Sequence, residues 1–264
     1  MEIEKIYNHY KECNSLRKTA KQFCISRSYL TKLFNDNNYK INESTKNKHQ
    51  LNESFFDVID SASKAYWLGF IFADGYVSNN NSLRIELKIE DEKHLCKFIK
   101  SINSDYVVKY RKDKPTCYVS INNLQLCNDL RKYGLHQNKS LTTLFPNVLL
   151  NNKYIIDFIR GYFDGDGSLY NIGSKSAGTG IIGTKEFLEG IKLVIDNHIK
   201  LTNHKIRPSK KSKPEYNVYR LETTNLTDTL KFSYLLYNNC KIYLDRKYHK
   251  YISIKEGSST TTMG

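Results

Sequence analysis

The sequence predicts an α+β protein in which one αββαββα unit, about a hundred residues long, is used twice behind a small all-α domain. Three observations lead there. Residues 1–41 carry apolar side chains at helical spacing and no strand signal. From residue 82 the period changes to two, with Leu83, Ile85, Leu87 and Ile89 alternating with Arg84, Glu86 and Lys88. The order helix, strand, strand, helix, strand, strand, helix begins near residue 55 and starts again near residue 153.

In the all-α domain (1–41), Ile6, Tyr7 and Tyr10 mark a first helix. Ser15 is placed to cap a second over 16–23, with Ala20 and Phe23 inward; Ser26 is placed to cap a third, with Tyr29, Leu30, Leu33 and Phe34 on one face. Residues 42–54 are polar and aperiodic, which reads as a linker. The first repeat (55–150) predicts a helix over 64–74 ending at Gly75, a strand over 82–90, and a helix capped by Asp91 and running to 102. Strands near 106–111 and 117–122 and a helix over 124–133 complete it. The second repeat (151–254) predicts a helix over 153–166 ending at Gly167, strands near 168–173 and 178–182, and a helix over 184–198. Strands near 204–209 and 216–223 follow, then helices over 226–236 and 242–252. Residues 255–264, rich in Gly, Ser and Thr, read as a flexible tail.

The charge is lopsided. Lys and Arg number 41 against 27 Asp and Glu, and the resulting +14 repels itself unless a polyanion answers it. Nucleic acid is the first partner to consider. A membrane is excluded as partner, because no apolar run approaches about 18 residues and no terminal helix is amphipathic. The acidic opening Met1-Glu2-Ile3-Glu4 is unlike a signal peptide, so a cytoplasmic or organelle-matrix location is expected rather than secretion. Cys13, Cys24, Cys96, Cys117, Cys127 and Cys240 show no paired CxxC spacing and read as buried small hydrophobes in a reducing compartment.

The chemistry concentrates at two helix ends. Trp67-Leu68-Gly69-Phe70-Ile71-Phe72-Ala73-Asp74-Gly75 matches Ile159-Arg160-Gly161-Tyr162-Phe163-Asp164-Gly165-Asp166-Gly167. Gly69 and Ala73, like Gly161 and Gly165, sit four apart and share a helix face, so each helix offers a flat strip for a close backbone approach. If the strips face each other, Asp74 meets Asp166. A carboxylate at a helix C-terminus is disfavoured by the roughly −0.5 charge there, and two pressed together repel further. A hard divalent cation resolves the conflict. Magnesium is the expected one (manganese or calcium could substitute in binding), with the Ala73 and Gly165 carbonyls as further ligands. Over a phosphodiester such an ion can activate a water and stabilise the leaving oxygen. One Asp-Gly pair is ordinarily a turn; two, in matched apolar helices of a basic repeat protein, point to a site.

These segments resemble the paired motifs of single-chain LAGLIDADG homing endonucleases, and the likeness in repeat order runs from about residue 65 to the last helix. The resemblance implies that Asp74 and Asp166 bind metal, and that the sheets form one saddle over DNA. It also implies that a monomer hydrolyses both strands of a long double-stranded target across the minor groove, with no obligate protein partner. Phe72 departs from the motif, standing where the family has an acid of structural role. The segment around Lys139 resembles the family's lysine-containing stretch between the repeats, and Lys247 is its counterpart after the second; the resemblance places both near the scissile phosphates. A cleavage-deficient DNA-binding regulator and an intron RNA maturase are the alternatives on the same scaffold.

For DNA contact, alternation nominates Arg84, Glu86, Lys88, Lys109, Arg111, Tyr118, Ser120 and Asn122 in the first repeat. In the second it nominates Lys205, Arg207, Ser209, Lys210, Lys211, Asn217 and Tyr219. The N-terminal domain resembles a helix-turn-helix, which implies that Ser26, Arg27, Ser28, Thr31 and Lys32 head or line a recognition helix.

Overall fold

Three short helices, α1 (Ile3–Cys13), α2 (Leu16–Gln22) and α3 (Arg27–Asp36), build the first of two compact units, Met1–Lys48 and His49–Gly264. They are seen in a computed structural model that describes residues 3–13, 15–41, 49–138, 141–172, 174, 176–209 and 216–261, with side chains up to residue 256. Ser15 accepts from the Lys18 amide and Ser26 from the Tyr29 amide, so both predicted caps form. Ile6, Tyr10, Ala20, Leu30 and Phe34 make the core of this unit. Tyr29 does not join them: it is 55% exposed on the outer face of α3.

In the second unit the first repeat comprises α4 (Ala62–Asp74), β1 (Gly75–Val77), β2 (Ser82–Lys88), α5 (Glu92–Ser101), β3 (Lys109–Tyr110), β4 (Thr116–Asn122) and α6 (Leu124–Lys132). The second comprises α7 (Ile155–Asp166), β5 (Gly167–Tyr170), β6 (Gly178–Gly183), α8 (Lys185–His198), β7 (His204–Pro208), β8 (Tyr219–Thr223), α9 (Leu226–Tyr237) and α10 (Asp245–Thr261). Each repeat forms a four-stranded antiparallel sheet, in the orders β1-β2-β4-β3 and β5-β6-β8-β7. The expected α+β double repeat is therefore present. Asn123, Thr184 and Asn225 cap α6, α8 and α9 through their side chains.

Helices α4 and α7 pack against each other along their small-residue strips. A Cβ on Gly69 would fall 1.9 Å from the Phe158 carbonyl oxygen, and one on Gly161 would fall 1.9 Å from that of Tyr66. Only glycine permits this approach at either crossing. The packing is reciprocal, as a pseudo-two-fold requires, and it buries both helices almost completely.

Several expectations are corrected. Residues 49–54 are not part of a free linker: Asn52 donates its amide to Ile102 and the Asp105 amide donates to Gln50. The linker residues 42–48 lie outside the described residues. Asp91 makes no side-chain cap on α5; its carboxylate accepts from Arg246 at 3.0 Å instead. The edge strand β3 is two residues long, shorter than the predicted 106–111. Helix α10 continues through Thr261 rather than yielding to a tail at 255, anchored by Tyr251 and Ile254 in the core. Of the six cysteines only Cys117 and Cys127 are buried, while Cys24 and Cys96 are exposed. Among the described residues no helix is long and apolar enough to cross a membrane.

Candidate active site and nucleic-acid face

The predicted meeting of helix ends is realised. α4 ends on Asp74 and α7 on Asp166, each followed by a glycine that turns into the first strand of its repeat. A Cβ on Gly165 would lie 2.4 Å from the Ala73 Cβ and 3.0 Å from Asp74 Oδ2, so the Asp74 carboxylate reaches the residue preceding Asp166. Both carboxylates act on the same hydroxyl. Burial, and then the charge of Asp166 and of Asp74, push the Tyr162 phenol well above its ordinary pKa. Tyr162 donates to the Ile182 carbonyl at 2.9 Å and, with Ala73, Leu141, Thr143, Asp166 and Gly183, lines a cleft of about 270 Å³. Sequence reasoning had no signal for Tyr162, which occupies an apolar position of the motif.

Lys247 is buried, and its ammonium donates to the carbonyls of Phe163 (2.8 Å) and Gly167 at the C-terminal end of α7. A cation there complements the helix dipole. Burial pulls its pKa down to about 8, opposed by the negative charge of Asp164, Asp74 and Asp166. Lys139 lies outside the described residues.

Asp164 is fully buried and organises the polar core behind the site. It accepts from the Tyr66 hydroxyl (2.6 Å), the Tyr237 hydroxyl (2.6 Å) and the Leu244 amide (2.8 Å). Burial raises its pKa, and the two phenols oppose the rise. Because Tyr66 spends its proton on Asp164, the 3.0 Å contact with His94 must be Nε2–H donating to the phenol oxygen. That fixes the neutral tautomer, consistent with a buried imidazole pulled down to about 3, chiefly by desolvation.

Among the described residues no group of three or more His, Cys, Asp and Glu could hold a metal ion. The two adjoining helix ends nevertheless carry a carboxylate each, and oxygen donors are what such a junction offers. That chemistry fits a hard cation that keeps several waters and takes phosphate oxygens from its substrate.

The helix-free face of each sheet is settled by register. On the first, Arg84 opposes Ser120, Glu86 opposes Tyr118 and Lys88 opposes Thr116, with Ser82 opposite Asn122 and Lys109 opposite Tyr118. Leu83, Ile85 and Leu87 occupy the buried row. The nominated residues of the first repeat, with Arg111 two residues beyond Lys109, thus share one row. On the second sheet Lys205 opposes Glu222 and Arg207 opposes Arg220, and Ser209 follows at the strand end. Tyr219 opposes Pro208 and Gly183 in the other row and packs against the core, so its expected position is corrected. Asn217 precedes β8 and serves the start of α8, accepting from the Lys185 amide and donating to Glu186. A strand read one residue out of register turns every side chain to the wrong face. The solvent-side row of β8 is the half-buried pair Arg220 and Glu222, which the sequence reading missed; Leu221 between two charged residues was the available signal. Lys210 and Lys211 lie outside the described residues.

In the N-terminal unit, Ser26, Arg27, Ser28 and Lys32 are exposed and Thr31 half-buried along α3. Its surface carries a groove lined by Arg27, Ser28, Thr31, Lys32, Asn35 and Asp36.

No model of a known protein family matches the sequence. An uncharacterised protein of Methanocaldococcus jannaschii is 27% identical over 151 residues, covering 53% of this chain and about half, 54%, of that relative. Similar solved structures include the meganuclease I-SmaMI bound to uncleaveable DNA, with TM-score 0.51, 14% identity, and coverage of 75% of this chain and 90% of the other. The LAGLIDADG homing endonuclease I-LtrWI bound to target DNA gives 0.50 and 12%, covering 80% and 92%. The homing endonuclease I-WcaI bound to its DNA recognition sequence gives 0.50 and 17%, covering 71% and 81%. With its paired central helices, their terminal aspartates and two antiparallel sheets, the chain has the LAGLIDADG homing-endonuclease fold.

Proposed function

We propose that this protein is a site-specific DNA endonuclease that hydrolyses both strands of a long duplex target, using divalent metal bound between Asp74 and Asp166. The observation that carries the reading is the junction of two acidic helix ends across Gly165 and Ala73, in a chain of net charge +14. Asp74 and Asp166 would hold magnesium, with the Ala73 and Gly165 carbonyls as candidate further ligands; when bound, the metal supplies an activated water and charge neutralisation at the leaving oxygen. Lys247 positions the end of α7 and adds positive potential beside the carboxylates. Tyr162 closes one wall of the cleft. The exposed rows of the two sheets supply groove and phosphate contacts. Because both acidic ends belong to one chain, a monomer suffices. The α3 helix, with a serine-capped N-terminus and a basic outer face, supports a second DNA contact that lengthens the recognised site.

The test is break mapping by sequencing after the protein is incubated with magnesium and a large genomic DNA library, beside Asp74→Asn and Asp166→Asn. Discrete paired breaks with the native protein, absent with both variants, are expected. Specific duplex binding without breaks would overturn the nuclease and leave a DNA-binding regulator on this scaffold.

A further inference from the structure

Each sheet carries, in its half-buried solvent-side row, an arginine already fixed in place. On β2, Arg84 donates to Glu86 at 2.7 Å and its guanidinium lies 4.0 Å from the centre of the Tyr118 ring. Glu86 also accepts from Thr116 at 2.7 Å, and Arg111 stands 3.9 Å away. On β8, Arg220 pairs with Glu222 at 3.5 Å and lies 5.0 Å from the Tyr170 ring. Arg207 reaches the same Glu222 at 3.3 Å. The guanidinium of Arg220 occupies the space above Gly180, where a Cβ would come within 2.3 Å of its Nε. The two clusters sit on non-equivalent central strands, β2 and β8, but share their parts: an Arg-x-Glu pair, a tyrosine ring against the guanidinium, and a second arginine near the same glutamate.

These ion pairs are half-buried on the solvent side of each sheet, where solvent still screens them, so the stability they add is small and does not by itself account for two such clusters. Pre-ordering an arginine does serve recognition, because its rotamer freedom is surrendered before the partner arrives. The flanking carboxylate decides what the partner is. Glu86 and Glu222 repel a phosphate, whereas an arginine beside a carboxylate matches the acceptors of guanine, O6 and N7, next to the N4 donor of cytosine.

We infer that the DNA target carries a guanine in each half, read by Arg84 on one sheet and Arg220 on the other. The inference rests on the DNA-cleavage reading above, but it concerns binding and is tested without cleavage. The native protein and the variants Arg84→Lys and Arg220→Lys are used to select sites from a random duplex library in calcium, and melting curves check that each is folded. Lysine keeps the charge but loses the planar fork. The native protein should enrich one site with a guanine in each half. Each variant should lose roughly ten- to hundredfold of the preference at one of the two guanines and none at the other. Unchanged sequence preference with uniformly weaker binding would make both residues phosphate contacts and overturn the inference, as would a selected site lacking either guanine. No enrichment by the folded native protein would overturn the DNA-reading function along with it.

Discussion

The two repeats share a backbone plan but fill one equivalent pocket with opposite chemistry. In the second motif, Asp164 is held by Tyr66 of α4, whose oxygen accepts from His94, the third residue of α5. At the equivalent place in the first motif, Phe72 packs on Phe158 of α7 (5.4 Å between ring centres) and on Phe187, the third residue of α8 (5.7 Å). Asp164, Tyr66 and His94 thus correspond one for one to Phe72, Phe158 and Phe187. A buried carboxylate is tolerable only where donors converge on it, and an aromatic ring only where no polar group is left unpaired. The departure from the motif at Phe72 is therefore matched by its neighbours. The pseudo-two-fold is kept where backbones touch, at Gly69 and Gly161, and abandoned where side chains can be exchanged as a set.

That correspondence can be broken at several points. Phe72→Asp places a carboxylate against the rings of Phe158 and Phe187 and should cost about 4 kcal/mol in denaturant unfolding. Adding Phe158→Tyr and Phe187→His should recover roughly half of that, because neighbours in one network do not act additively. A triple variant weaker than the single one would contradict the correspondence. Gly69→Ala and Gly161→Ala should each cost about 3 kcal/mol, and equally, since each drives a methyl into a backbone carbonyl of the other helix. A loss confined to one would mean that the helices do not cross symmetrically. Asp164→Asn keeps the shape but offers one acceptor oxygen to three donors, for a loss of about 2 kcal/mol that a purely apolar site such as Phe72 could not show.

The effect that is smallest near neutral pH, and grows toward acid, is a pH dependence. His94 titrates near 3 in the folded protein, below its ordinary 6.5. Between those values the unfolded chain binds a proton that the folded chain refuses. Stability is therefore full above about pH 6.5 and falls toward acid, by at most ~1.4 kcal/mol per pH unit. His94→Gln should flatten that slope, measured as unfolding free energy against pH; an unchanged slope would place the acid sensitivity elsewhere.

Much of this architecture was legible from short-range pattern. Alternation at Leu83, Ile85 and Leu87 and the small residues at Gly69, Ala73, Gly161 and Gly165 are local signals with a single physical meaning, and they located the first sheet and the helix junction. β8 was misread because Tyr219 and Asn217 are polar enough to pass for groove residues, while the true period runs through Leu221 and Thr223. The Asp164 network was hidden for a different reason. Its donors Tyr66, Tyr237 and Leu244 lie 98, 73 and 80 positions away, so no window along the chain contains it. Lys247 was found by likeness to the family, but its burial in the first turn of α10 and its hold on the end of α7 came only with the tertiary structure.

The central claim is that Asp74 and Asp166 jointly hold a divalent cation. Its most direct test is the electron paramagnetic resonance of manganese titrated into the protein bound to its DNA site, for the native chain, Asp74→Asn and Asp166→Asn. Bound manganese is expected with the native protein, and a marked loss with either variant alone. Manganese held as tightly by both variants as by the native protein would contradict it.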